Sequence, residues 1–189
     1  MVFYKGVRRV DQRKRLERHK ALLEWYEALI FGAVLVVLLF TFVFRVAVVQ
    51  GSSMNPTLQS GDRVLLWSAG YTPQRGDIVV VDGYTSYEKA LCKRIIALGG
   101  DEINIDFASG EVWVNGQLLE EDYIAHPTQL SEGVSFPLTV PEGTVFVMGD
   151  NRMNSTDSRS PEIGCIDQRD LLGRVVLRIL PVTAFGVVK

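Results

Sequence analysis

Residues 28–44 read A-L-I-F-G-A-V-L-V-V-L-L-F-T-F-V-F, seventeen positions without a charge, and V-A-V-V at 46–49 carries the apolar run past Arg45. As a helix rising about 1.5 Å per residue, the whole stretch reaches roughly 33 Å, enough for a hydrocarbon core of about 30 Å. Arg45 stands near the far end, where its long stem lets the guanidinium reach the interface. Arg8, Arg9, Arg13, Lys14, Arg15, Arg18 and Lys20 precede the run, so the positive-inside rule puts the N-terminus in the cytoplasm and everything after Val49 outside. Trp25 and Tyr26 fall where interfacial aromatics are expected. A cleavable leader has an apolar stretch of only about 7–15 residues and small side chains before its cut. Here the run is longer, and R-V-A-V-V-Q offers valine where small residues are needed. The expected organisation is a cytoplasmic basic segment (1–27), a transmembrane anchor (28–49) and an extracytoplasmic β-rich domain (50–189).

Beyond Gly51 the chain breaks into short β-rich runs: R-V-L-L-W (63–67), D-I-V-V-V (77–81), E-V-W-V (111–114), T-V-F-V-M (144–148) and R-V-V-L-R-I-L (174–180). Gly61-Asp62, Gly76-Asp77, Gly99-Gly100-Asp101, Asn115-Gly116 and Pro141-Glu142-Gly143 punctuate them, as turns do between strands. Asn115-Gly116 supplies the two positive-φ residues of a type I′ hairpin joining E-V-W-V to Q-L-L. Residues 85–87 and 129–133 read as exposed loops. The fold class expected is mainly β: a single N-terminal transmembrane helix followed by an antiparallel β-sheet domain.

At 189 residues the chain has room for one ordinary domain plus an attachment. Its 47% hydrophobic and 22% charged residues place it among proteins that bury a core. Residues 1–27 carry eight Lys/Arg against four Asp/Glu, a balance of +4, while residues 28–189 carry twelve against eighteen, a balance of −6. An acidic body offers no footprint for nucleic acid. Two cysteines, Cys92 and Cys165, and two histidines, His19 and His126, do not make a four-ligand zinc site at any usual spacing, so neither metal nor other cofactor is expected. A Cys92–Cys165 disulfide stays open, since spacing alone does not show that they meet.

The stretch Q-G-S-S-M-N-P-T-L (50–58) follows the apolar run directly, and Ser53 within it sits on a turned backbone between Gly51 and Pro56. A serine needs a base to act as a nucleophile; otherwise it is an ordinary turn residue. His19 falls on the cytoplasmic side, leaving His126, in a loop before Pro127, or Lys93, in the apolar run A-L-C-K-R-I-I-A-L (90–98). A lysine near 10.4 is protonated at neutral pH, but desolvation lowers it by several units and yields a usable amine. Without burial Lys93 is a surface residue with a snorkelling stem. Ser86 and Lys89 form a formal S-x-x-K, set in a polar stretch and lacking a K-T-G partner. M-G-D-N-R-M-N-S-T-D-S-R (148–159) packs short polar side chains directly after an apolar strand, as the support of a reactive site requires, or as any solvated loop does.

Taken together, S-M-N-P-T-L (53–58), R-G-D-I-V-V-V (75–81), K-R-I-I-A-L-G-G-D (93–101) and G-D-N-R-M-N-S-T-D-S-R (149–159), closed by G-R-V-V-L-R-I-L-P (173–181), resemble in order and spacing the type I signal peptidases, membrane-bound Ser-Lys proteases of exported proteins. The short length resembles the minimal Gram-positive form. The resemblance implies Ser53 as nucleophile and Lys93 as general base, with the Ser53 N–H in the oxyanion hole and Gly51 and Ser52 beside it. It implies Ser155 orienting Lys93, Asp157 and Arg159 bracing that corner, and Arg94, Asp150 and Arg152 giving structural support. Val49 and Cys92 look by position like the lining of shallow pockets that read small residues at −1 and −3 of an extended peptide. The implied partners are preprotein signal peptides and the lipid bilayer, with the protein translocation machinery as a further candidate, and the implied location is the cell membrane. Three positions depart from the family pattern. Gly51 stands where Gram-negative relatives carry a serine, Met153 replaces a commoner acidic residue, and Gly99 replaces a commoner proline. Two rival readings are a self-cleaving repressor-type Ser-Lys protease, which would carry a DNA-binding module, and an anchored β domain without catalysis, which would leave Ser53, Lys93, Ser155 and Asp157 without joint purpose.

Overall fold

A computed structural model describes residues 3–83 and 90–188, with side chains from Glu17 onward; the Ser86/Lys89 pair lies outside the described residues. The chain divides into two units, residues 1–42 and 43–189. The first is one helix, α1 (Phe3–Phe42). Residues Glu17–Phe42 within it are long and apolar enough to cross a bilayer.

Helix and strand share the apolar run differently from the expectation drawn from length and composition. The helix ends at Phe42, and the middle five of the expected anchor's seven remaining positions become β1 (Phe44–Val48). β1 pairs antiparallel with β2 (Arg63–Trp67) along its whole length, from Phe44 opposite Trp67 to Val48 opposite Arg63. The reason is the period of the pattern. Val46 and Val48 are exposed while Ala47 is half-buried and Val49 buried, the two-residue alternation of a strand with one packed face. β-Branched residues favour that pleat over a helix. Arg45 is therefore an exposed strand residue opposite Leu66, not a cation at a helix end.

The remaining strands are β3 (Ile78–Val81), β4 (Leu91–Leu98), β5 (Glu102–Asp106), β6 (Glu111–Val114), β7 (Gln117–Leu118), β8 (Leu138–Thr139), β9 (Thr144–Met148), β10 (Ile166–Asp167), β11 (Leu171–Leu180) and β12 (Gly186–Val187). One antiparallel sheet runs β1-β2-β11-β3-β4-β9-β10 with β12 against β11, and a smaller one runs β7-β6-β5-β8. Asn115 and Gly116, at φ of 53° and 73°, form the two-residue turn between β6 and β7 that the sequence predicts. β4 lies inside the large sheet, covered by β3 on one side and β9 on the other. Apolar side chains from β2, β3 and β11 join Val49, Met54 and Leu58 in one core, so the turn that follows β1 is anchored by burial.

Gly99 occupies the turn between β4 and β5. A Cβ there would stand 3.0 Å from the Glu142 Cα and the Pro141 carbonyl oxygen. Gly99→Ala is expected to lower stability by about 1 kcal/mol through this overpacking. A thermal melt of the detergent-solubilised protein that does not fall would contradict the close approach.

Candidate active site

The turn carrying Ser53 is fixed from both sides. Met54 and Leu58 are fully buried, and the Leu58 N–H donates to the Met54 carbonyl at 2.9 Å. The segment after β9 clamps the backbone just before them. The Asn151 N–H donates to the Ser53 carbonyl at 2.9 Å, the Asn151 side-chain amide to the Ser52 carbonyl at 3.1 Å, and the Asn154 amide to the Ser52 hydroxyl at 2.8 Å. The Gly51 N–H is taken by the Ser60 hydroxyl at 3.2 Å. Among the described residues the Ser53 N–H has no acceptor, so it remains free to meet a ligand oxygen.

Lys93 comes from β4 and is only 3% exposed. Desolvation pushes its amine below the ordinary lysine range, with Asp157 the largest influence in the opposite direction. Asp157 is completely buried and saturated. Its two oxygens take the Arg159 Nε and Nη2 at 2.8 and 2.9 Å, the Ser155 hydroxyl at 2.8 Å and the Gly149 N–H at 2.9 Å. Because Ser155 spends its proton on Asp157, its oxygen is left as an acceptor for an amine. Arg159 also donates to the carbonyls of Leu130 and Arg152. Arg94 forms a bidentate pair with Asp150 at 2.8 and 2.7 Å, and the Thr57 hydroxyl joins the same carboxylate. This ties β4, the Ser53 turn and the segment after β9 together. Arg152 pairs with Glu121 and Thr128, holding the loop beyond β7.

A cavity of about 440 Å³ brings Ser53, Lys93 and Ser155 together with Gly51 and Ser52, and Glu132, Met153 and Asn154 are among the other residues of its wall. Asp157 and Arg159 stand behind Ser155 in the buried pair just described. The structure records no hydrogen bond between the Ser53 hydroxyl and the Lys93 amine, a contact that often tightens only when substrate binds. Val49 and Cys92 line a second cavity of about 250 Å³ with Ala47, Val64 and Val80, and Gln50 borders both. Consecutive strand residues face opposite ways, so Cys92 and Lys93 serve different cavities. Burial pushes the Cys92 thiol up to about 12, so it is a neutral wall. Cys92 and Cys165 are both free, which closes the disulfide alternative. His126 is exposed and lines neither cavity. Asn151 and Asn154 were visible only as part of a polar run, and Glu132 lies in a stretch that reads as a plain exposed loop.

The family described as "Signal peptidase, peptidase S26" matches residues 22–180. The chain is 36% identical over 188 residues to a probable signal peptidase I-2 of Synechocystis sp., covering 95% of this chain and 83% of that protein. It is also 36% identical over 174 residues to a signal peptidase I of Bacillus licheniformis, covering 87% and 91% of the two chains. A crystal structure of a signal peptidase I from Enterococcus faecalis V583 aligns at a TM-score of 0.46 and 31% identity, covering 56% of this chain and 98% of that one. The chain belongs to the signal peptidase family. It is accordingly a membrane-bound serine endopeptidase of the signal peptidase I type, which works through a Ser-Lys dyad.

Gly149 is the closest approach in this corner. A Cβ there would fall on the Ser155 hydroxyl and within 2.5 Å of the Ser53 carbonyl oxygen. Gly149→Ala is expected to push both groups out of place and reduce preprotein cleavage by about 100-fold, the scale on which a misplacement near 1 Å acts. Cleavage at the unmodified rate would show that the approach does not matter.

Proposed function

We propose that this chain removes N-terminal signal peptides from exported preproteins after small-x-small sequences, with Ser53 as nucleophile and Lys93 as general base. The observation that carries the reading is a buried lysine, its amine held below the ordinary range by desolvation, on the wall of the cavity that contains Ser53. The neutral amine takes the Ser53 proton as the hydroxyl oxygen attacks the scissile carbonyl carbon. The resulting oxyanion meets the Ser53 N–H. When the C–N bond breaks, the ammonium returns the proton to the leaving amine and the mature chain departs. Water, deprotonated by the same amine, then attacks the ester and releases the signal peptide with a free carboxylate, restoring the Ser53 hydroxyl.

Ser155 orients the Lys93 amine in this scheme, Asp157 and Arg159 fix Ser155, and Gly51 and Ser52 shape the turn beside the oxyanion. Val49 and Cys92 line the pocket that admits small side chains before the cut, and an extended peptide lies alongside the sheet. The topology proposed has the N-terminus in the cytoplasm, supported by the basic cluster before the apolar run, and the β domain outside, beside the translocation machinery that delivers preproteins. Contact with lipid is supported by the outward face of β1 and β2, where Val46, Val48 and Trp67 are exposed on one side of the register.

A purified preprotein with an Ala-x-Ala site, incubated in detergent with the intact protein, is expected to yield the mature chain, and Ser53→Ala and Lys93→Met to yield none. Activity in Lys93→Met would place the base elsewhere. The rate is expected to rise with pH as Lys93 loses its proton. Because desolvation lowers this amine, the rise should be centred below the roughly 10.4 of a free lysine; a flat profile would refute an amine base. Cys92→Ala is expected to widen the residues tolerated at −1 or −3, read by mass spectrometry of the cleaved products, and an unchanged profile would remove Cys92 from the pocket.

A further inference from the structure

Glu132 reaches the Ser53 cavity from the segment between β7 and β8. One of its carboxylate oxygens accepts the Asp157 N–H at 3.2 Å, pinning it to the polar segment after β9. The charges around Lys93 are Asp157, Glu132 and Arg159, with the Cys92 thiol as its chain neighbour. Asp157 and Arg159 are bound to each other in a fully buried pair, yet the Asp157 carboxylate still favours the ammonium more strongly than the guanidinium opposes it. The thiol keeps its proton, its pKa pushed up to about 12 by burial. Glu132 makes no ion pair within 4 Å among the described residues, and its charge acts on Lys93 from the cavity side, in addition to that of Asp157.

We propose that Glu132 is a positioning residue for the reaction: its carboxylate, facing Lys93 across the Ser53 cavity, joins Asp157 in holding the protonated form of that amine and raises the pH at which cleavage begins. The inference rests on Ser53 and Lys93 acting as the dyad. A base buried to this degree pays heavily to become an ammonium, yet it must do so each time it takes the Ser53 proton. A carboxylate across the cavity lowers that cost. Burial pushes the Glu132 carboxyl above the usual range, Asp157 adds to the shift, and the Asp157 N–H, Arg159 and Lys93 oppose it. The carboxylate thus answers to the same charges that surround the amine.

Glutamine is the discriminating substitution, because it keeps an oxygen for the Asp157 N–H and removes the charge. With the full-length protein in detergent and an Ala-x-Ala preprotein, kcat and KM are measured from mildly acidic to alkaline pH for the wild type, Glu132→Gln, Glu132→Ala and Glu132→Asp. Both neutral variants should move the rising limb of kcat down by roughly 0.5–1 pH unit, less than the roughly 1–3 units of an opposite charge in close contact. Their plateau should fall severalfold and KM stay unchanged, while Glu132→Asp keeps the wild-type limb. A limb that stays in place, a limb that moves up, a change confined to KM, or loss of cleavage at every pH in both neutral variants overturns the proposal. A wild type whose own rate does not rise with pH instead overturns the Lys93 base on which it rests.

Discussion

The ion pair between Asp157 and Arg159 is the constraint from which the site is built. Both side chains are completely buried, and separating such a pair costs about 3–5 kcal/mol because it strands a charge. The carboxylate is also the acceptor for the Gly149 N–H and the Ser155 hydroxyl, so one anion fixes the backbone after β9 and the rotamer of a serine. The guanidinium meanwhile reaches the carbonyls of Leu130 and Arg152. The corner is rigid in the way a preorganised site requires: each member is held by a partner that is itself held.

Rigidity of this kind lets a lysine be placed in an apolar sheet. Lys93 has Asp157 close enough to matter electrostatically, yet that carboxylate is already committed to Arg159 and is no simple counter-ion. The amine is left in a dry setting with weak compensation, and desolvation prevails. A second buried pair, Arg94 with Asp150, sits one residue along the same strand and joins β4 to the Ser53 turn through the Thr57 hydroxyl. Neighbouring cations on β4 thus have opposite lives: Arg94 is fully partnered and mechanical, Lys93 underpartnered and titratable.

The strands at 63–67, 77–81, 111–114, 144–148 and 174–180 were legible because each is a β-rich run bounded by turn residues. The Asn115-Gly116 hairpin was legible because its φ angles admit few other residues. The end of the helix was not. Residues 43–49 are apolar in composition, and only pairing with β2 reveals that their alternation, and not their hydropathy, decides their conformation. Ser53, Lys93 and Ser155 could be nominated from residue type and surroundings, but their meeting at one cavity depends on the close approach at Gly149, which no local pattern encodes. Glu132 gave no signal at all, since its neighbours read as a solvated loop and its partner Asp157 lies 25 positions away.

Cys92 and Lys93 are adjacent in sequence but look into separate cavities. Side-chain bulk at position 92 therefore varies the volume of one compartment while the amine, on the reverse of the pleat, keeps its own surroundings. In the roles proposed for Cys92 and Lys93, selectivity and rate sit in neighbouring codons yet are insulated from each other by the thickness of a single strand. With those roles, such a peptidase drifts toward a new repertoire of cleavage sites by changing one wall residue at a time, with its chemistry carried along intact.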